Sequence, residues 1–116
     1  MSNEIDSRIV ELTKRDEFKL FVKNNESVIV KASATWCGPC KRSTPFFMQI
    51  FNENIPKKIK LVKLDVDEGD DLAHYLRIKQ MPTYIHFYRG EPQEIYMSSN
   101  KNEIINFFNK VIAYHK

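Results

Sequence analysis

Two cysteines, Cys37 and Cys40, are the only thiols in this 116-residue chain, and the stretch SATWCGPCK (33–41) sets them two residues apart. Disulfide exchange needs such a pair, because one thiolate attacks a sulfur to form a mixed disulfide that a second, nearby thiol must then break. Pro39 suits the first turn of a helix, where its missing N–H leaves no bond unmade. A strand-like segment precedes it, so the cysteines fall where strand becomes helix. Unpaired N–H groups at a helix start carry partial positive charge and favour a thiolate. Cys37 is therefore expected at an exposed edge as the attacking sulfur, and Cys40, one turn on and less exposed, as the resolving one. Gly38 lets the chain turn tightly while Pro39 restricts it, which limits how freely the two sulfurs separate.

Three plainer readings compete with redox exchange. The thiols could both be buried and inert, but a junction beside Trp36 is a poor place to hide them. A zinc site needs four ligands, and only His74, His86 and His115 could join the pair, none at a familiar ligand spacing, so no metal is expected. A permanent structural disulfide is disfavoured by a reducing compartment and by the small loop it would close. Redox chemistry is the reading the pattern favours.

The elements that must hold this pair alternate between strand-like and helix-like patterns, as expected when helices cover a sheet. RIVELT (8–13) is a short strand, and Thr13 with Asp16 has the spacing of a capping box that starts a helix. Phe18, Phe21 and Val22 give that helix one apolar stripe before Asn24 and Asn25 end it. SVIVKAS (27–33) is the strand that leads to the cysteines. After them Phe46, Phe47, Ile50 and Phe51 form a buried helical face, and Pro45 inside that helix should kink its axis. IKLVKLDV (59–66) is the next strand, a short helix covers 71–76, and TYIHFYR and EIYM form a possible hairpin around a turn at Gly90, Glu91 and Pro92. Asn100 and Glu103 mark the start of a last helix, with Ile104, Ile105, Phe108, Val111 and Ile112 on its apolar face. The expected order is β-α-β-α-β-α-β-β-α, in one domain spanning 1–116.

Composition excludes several function classes. Eighteen basic and fifteen acidic residues give a net charge of +3, but the signs are interspersed and the densest basic run is PKKIK (56–60). Phosphate recognition wants a basic face, so no nucleic acid is expected. The opening MSNEIDSRIVEL has neither the basic flank nor the apolar stretch of a signal peptide, and no run is long enough to span a membrane. The expected location is the cytoplasm.

ATWCGPCK closely resembles the active-site motif of thioredoxins, and the strand and helix order is similar along nearly the whole chain. Pro45 resembles the kinking proline of that family's active-site helix, the MPT of 81–83 resembles its cis-proline segment, and Gly90 holds the usual hairpin turn. The resemblance implies a mixed β-sheet flanked by helices and a protein-disulfide reductase working through a reversible Cys37–Cys40 disulfide. It implies that Pro82 is cis and lies beside Cys37, and that Trp36, Gly38, Pro39, Met81 and Pro82 form the surface on which a substrate segment docks. No bound cofactor is implied: electrons would come from a separate thioredoxin reductase-like donor, with NADPH upstream. The partners are disulfide-containing proteins, and the chain is expected to be a monomer.

Two positions depart from the family pattern. Lys31, six residues before Cys37, stands where thioredoxins typically carry a buried aspartate that moves protons for the resolving cysteine, and Lys63 falls where that aspartate's lysine partner is often found. Two like charges in a core are costly unless one loses its proton or reaches water. Either Lys31 is desolvated and acts on Cys40, as base or as a cation that stabilises its thiolate, or the strand twists or slips so that the ammonium reaches solvent. The first case would make the protein a stronger oxidant than its relatives, or an isomerase. Ser98, where the family commonly has glycine beside the groove, would alter partner choice. The histidines are expected on strand or helix surfaces, with no catalytic part. A third reading is a binding subunit of the same fold with dispensable thiols.

Overall fold

The central strand forms where the chain is apolar on both faces: Val28, Val30 and Ala32 point to one side of the sheet and Ile29 to the other, all without solvent exposure. Such a strand needs helices above and below it. The computed structural model, which describes residues 6–116, supplies them. In chain order the elements are β1 (Ile9–Glu11), α1 (Arg15–Asn24), β2 (Ser27–Ser33), α2 (Gly38–Asn54), β3 (Lys60–Asp65), α3 (Asp70–Tyr75), β4 (Thr83–Tyr88), β5 (Glu91–Tyr96) and α4 (Lys101–Ala113). This is the expected order. Of the opening segment read against a signal peptide, residues 1–5 lie outside the described residues. No helix among the described residues is long and apolar enough to cross a membrane.

The sheet runs β1-β3-β2-β4-β5, with β2 parallel to β3 and antiparallel to β4. Phe18 and Val22 of α1 and Leu72 of α3 pack on the Val28 face, while Phe47 and Phe51 of α2 and Ile104, Phe107, Phe108 and Val111 of α4 pack on the Ile29 face. Aromatic rings fill the second layer: Phe47 stacks on Tyr84 with centroids 4.6 Å apart and meets Phe108 at 4.7 Å. Truncating Phe47 to Ala would cost roughly 3–5 kcal/mol. That layer anchors the helix that carries the cysteines.

Five local expectations are corrected. β1 covers only 9–11, and Thr13 does not cap α1. Lys14 holds the capping position without a side-chain bond, and the Arg15 N–H donates instead to Asp71 Oδ2 at 2.8 Å, reinforced by Arg15 Nε on Asp71 Oδ1 at 2.8 Å. A charged carboxylate from α3 outcompetes a hydroxyl as acceptor. The hairpin turn is Arg89-Gly90, both with positive φ (54° and 83°), the backbone a two-residue turn requires. Strand β5 therefore begins at Glu91 and takes in Pro92, tolerable because β5 is an edge strand. On α4, Phe107 is buried and Ile105 is exposed, since 104, 107, 108 and 111 share the inward stripe. His86 is fully buried in β4, with its Nε2 2.8 Å from Ser27 Oγ, and so is no surface residue. Asn100 does cap α4, accepting from the N–H groups of Asn102 and Glu103 at 2.8 and 3.2 Å.

Candidate active site

Strand β2 ends at Ser33 and four residues later the chain delivers Cys37 to the capping position of α2, with Pro39 in the first turn. The Cys37 Sγ accepts a hydrogen bond from the Cys40 N–H at 3.2 Å, and the Cys37 N–H donates to the Ala34 carbonyl at 3.1 Å. A helix-start N–H aimed at sulfur is the arrangement that favours a thiolate there. Cys37 and Cys40 are joined as a disulfide, their Cα atoms 5.3 Å apart. Cys37 is 5% exposed and Cys40 2%. The first sulfur is therefore less open than the helix-start argument suggests, because Ala34, Val66 and Met81 pack around the pair.

The second motif arrives from the far side of the sequence. The Met81–Pro82 bond is cis, and the Met81 carbonyl oxygen lies 3.8 Å from Cys37 Sγ. Thr83 ties this loop down by donating through Oγ1 to the Gln80 carbonyl at 2.6 Å. Trp36 is 65% exposed, and its indole N–H donates to Asp67 Oδ2 at 2.8 Å. A Cβ at Gly38 would lie 3.2 Å from Arg42 Nη1, so that guanidinium sits against the spacer between the cysteines. Ser98 lies in the loop between β5 and α4, where its hydroxyl oxygen accepts from the Asn100 N–H at 3.0 Å. That bond serves the entry to α4, and no hydrogen bond among the described residues links Ser98 to the cysteines.

Lys31 is 4% exposed. It pairs in register with Lys63 on one side and Tyr84 on the other, so β2 neither slips nor turns it outward. Its Nζ is 6.0 Å from the centre of the Phe47 ring, on the underside of α2. Burial, with a smaller contribution from the Lys63 charge, lowers its pKa to about 8. Two further polar residues share this region and went unremarked in the sequence, Ser43 and Tyr84, whose hydroxyls are 3.3 Å apart beneath the first turn of α2. A signal was available: Ser43 follows Cys40 at i+3, on the same helical face. A cleft of about 310 Å³ also opens beside Cys40, lined by Ala34, Thr44, Pro45 and the charged residues Lys41 and Asp65.

Larger hollows exist elsewhere, near Tyr75 and Arg89 (about 660 Å³) and near Arg8 and Lys57 (about 770 Å³), but neither touches a cysteine. Among the described residues no group of three or more His, Cys, Asp or Glu side chains is placed to hold a metal ion. His86 lies beside Ser27, at the end of β2 remote from the cysteines, with its ring against Tyr114 at 5.1 Å.

Relatives carry the same framework. The Thioredoxin family profile matches residues 9–110. A putative thioredoxin-5 of Dictyostelium discoideum is 34% identical over 96 residues, covering 83% of this chain and 91% of its own. Among solved structures, oxidised mitochondrial thioredoxin 3 of Saccharomyces cerevisiae superposes with a TM-score of 0.79 at 28% identity over 90% of this chain and 97% of its own. A chain from a study of thiol resolution in a yeast mitochondrial 1-Cys peroxiredoxin via glutathione and thioredoxin systems gives 0.79 at 27%, covering 88% and 94%. A cysteine pair bridged at a helix start, a cis-proline loop against the first sulfur and this match over nearly the whole chain lead to one conclusion: the protein belongs to the thioredoxin family and is a thiol-disulfide oxidoreductase.

Proposed function

We propose that Cys37 is the nucleophile and Cys40 the resolving thiol in the reduction of disulfides in other proteins. The observation that carries this is the Cys40 N–H directed at Cys37 Sγ, since it favours negative charge on the first sulfur and not the second. In the forward reaction the Cys37 thiolate attacks a substrate disulfide and releases one substrate thiol. The Cys40 thiolate then attacks Cys37 Sγ, forming the Cys37–Cys40 bond and releasing the second. Trp36, Gly38, Pro39, Met81 and Pro82 form the docking surface, with Ser98 at its margin. A separate reductase drawing on NADPH returns the pair to the dithiol, and no cofactor is held by this chain. The peroxiredoxin-system neighbour supports protein disulfides as substrates. The working form is a monomer in a reducing compartment, the cytoplasm.

Lys31 favours a second, more oxidising variant of this reading. With a pKa of about 8, roughly nine in ten Lys31 side chains carry charge at pH 7, so its main effect is that of a cation beneath α2 and not of a base. A cation near Cys40 stabilises its thiolate, favours the dithiol state and raises the reduction potential. Measured against glutathione, Lys31→Asp should shift the pair toward the disulfide. No shift would remove Lys31 from the mechanism. For the main reading, Cys40→Ser should trap substrates as mixed disulfides through Cys37, and Cys37→Ser should trap none and lose insulin reduction. A Cys37→Ser protein that keeps its function would instead make the chain a binding subunit with dispensable thiols.

A further inference from the structure

Ser43 is 5% exposed although Lys41 and Arg42 just before it face solvent. Its Oγ lies 2.9 Å from the Pro39 carbonyl, 3.4 Å from the Cys40 carbonyl and 3.3 Å from the Tyr84 hydroxyl. A serine hydroxyl has one proton to give and two lone pairs to offer. With its proton on the Pro39 carbonyl, Ser43 accepts from Tyr84. Tyr84 is fully buried, its ring is held by the Phe47 stack, and Ser43 is the one hydrogen-bond partner of its hydroxyl among the described residues. Burial raises the phenol's pKa, so it remains a neutral donor at working pH.

The two carbonyls have little need of this serine. Within α2 each is served by the ladder of i to i+4 bonds, and the Thr44 hydroxyl adds a 2.7 Å bond to the Cys40 carbonyl. The Ser43 proton is thus free to move to a better acceptor at small cost. Reduction of the disulfide creates one, because the Cys40 thiolate lies three residues back on the same face of the helix. The Lys31 ammonium lies beside the Phe47 ring, two turns further along α2, so it can supply charge without direction, whereas the hydroxyl pair supplies a directed donor.

We propose that Ser43, backed by Tyr84, turns its hydroxyl onto the Cys40 sulfur when the disulfide opens, and so stabilises the resolving thiolate. Ser43 is the donor, and Tyr84 acts through it as a positioning residue. No proton is transferred along the pair. Cys40 loses its proton to water, its thiolate attacks Cys37 Sγ, the Cys37–substrate bond breaks, and the departing substrate thiolate takes a proton from water. The inference rests on Cys40 being the resolving thiol.

The test is the Cys40 titration in the reduced full-length protein, followed by cysteine ¹³Cβ NMR, together with the equilibrium against glutathione. Ser43→Ala should lower the Cys40 thiolate fraction at a given pH about tenfold, the worth of one charge-assisted hydrogen bond, and shift the pair toward the disulfide. Ser43→Thr should restore both, and Tyr84→Phe should move both in the same direction by less. A purely structural serine would change melting temperature and leave titration and equilibrium unmoved, which overturns the inference while Cys40→Ser still traps substrate. Failure of Cys40→Ser to trap overturns it as well, by removing the reading beneath it.

Discussion

Lys31 and His86 are both ionisable, both buried and both on the face of the sheet covered by α2 and α4, yet they treat their protons differently. Burial lowers the His86 pKa to about 4, with the His115 charge a lesser cause, so at pH 7 His86 is neutral and its burial carries no charge penalty. Lys31 keeps its proton below about pH 8 despite the cost. His86 stands at the end of β2 away from the cysteines, where a neutral imidazole is held through Nε2 by Ser27 while its buried Nδ1 has no hydrogen-bond partner among the described residues. Lys31 stands under the helix that carries them. A charge retained in a core costs stability unless something offsets it, and that cost is what the proposed action of Lys31 on Cys40 would have to justify.

The contrast breaks most readily at Lys31. Lys31→Met in the disulfide form should raise unfolding free energy at pH 7 by about 3 kcal/mol, the energetic equivalent of the lysine's lowered pKa. Because that pKa is lowered in the fold, the wild-type penalty is full below pH 8 and fades as pH rises toward 10.5. The advantage of Lys31→Met should fade over the same window in denaturant titrations. A pH-independent gain would mean that packing, not charge, sets the difference.

At the other end the sign is the same but the window is acid. The folded His86 pKa lies below that of the unfolded chain, so the unfolded state binds more protons between about pH 6.5 and 4, and stability should fall by about 2 kcal/mol on going from pH 7 to 5. His115, lowered chiefly by burial and then by the Lys58 charge, adds to the loss. His86→Phe should flatten this limb without altering the redox equilibrium. A shift in that equilibrium would show that the two ends of β2 are coupled. Asp6 and Asp71 respond later, since hydrogen bonds from Arg8 and Arg15 hold their carboxyls below the usual range and their contributions are lost only as pH falls further.

Smaller effects sharpen the same division. Ser27→Ala removes the partner of His86 and should cost about 1 kcal/mol of stability with unchanged disulfide exchange rates. Asp67→Asn weakens the bond to the exposed Trp36 indole and should cost less than about 1 kcal/mol while changing tryptophan fluorescence. An altered exchange rate in Ser27→Ala, or none of the expected spectral change in Asp67→Asn, would contradict these assignments.

Much of this was legible in the chain. Apolar runs and capping residues gave the element order because period and turn chemistry are local properties, and Cys37, Gly38, Pro39 and Cys40 stand together in sequence. What the sequence hid was partnership across it. Nothing near Thr13 shows that Asp71 will take over the start of α1, and nothing near His86 shows that Ser27 waits 59 residues away to accept it into the core. The hairpin turn at Gly90 is legible, but its extent is not: Pro92 reads as a breaker and draws the turn toward 92, whereas on an edge strand it costs little and the turn is Arg89-Gly90. Tyr84 read as one more aromatic in a strand, and its hydroxyl gained meaning only when β4 placed it beneath Ser43.

The most direct test of the account is the pH dependence of alkylation of the reduced protein, with each cysteine quantified separately. If the helix start and the Cys40 N–H hold Cys37 as a thiolate, Cys37 should be modified first, with a midpoint well below the free-thiol value of about 8.5, and Cys40 should be protected at neutral pH. Equal modification of both cysteines, each with a midpoint near 8.5, would contradict it.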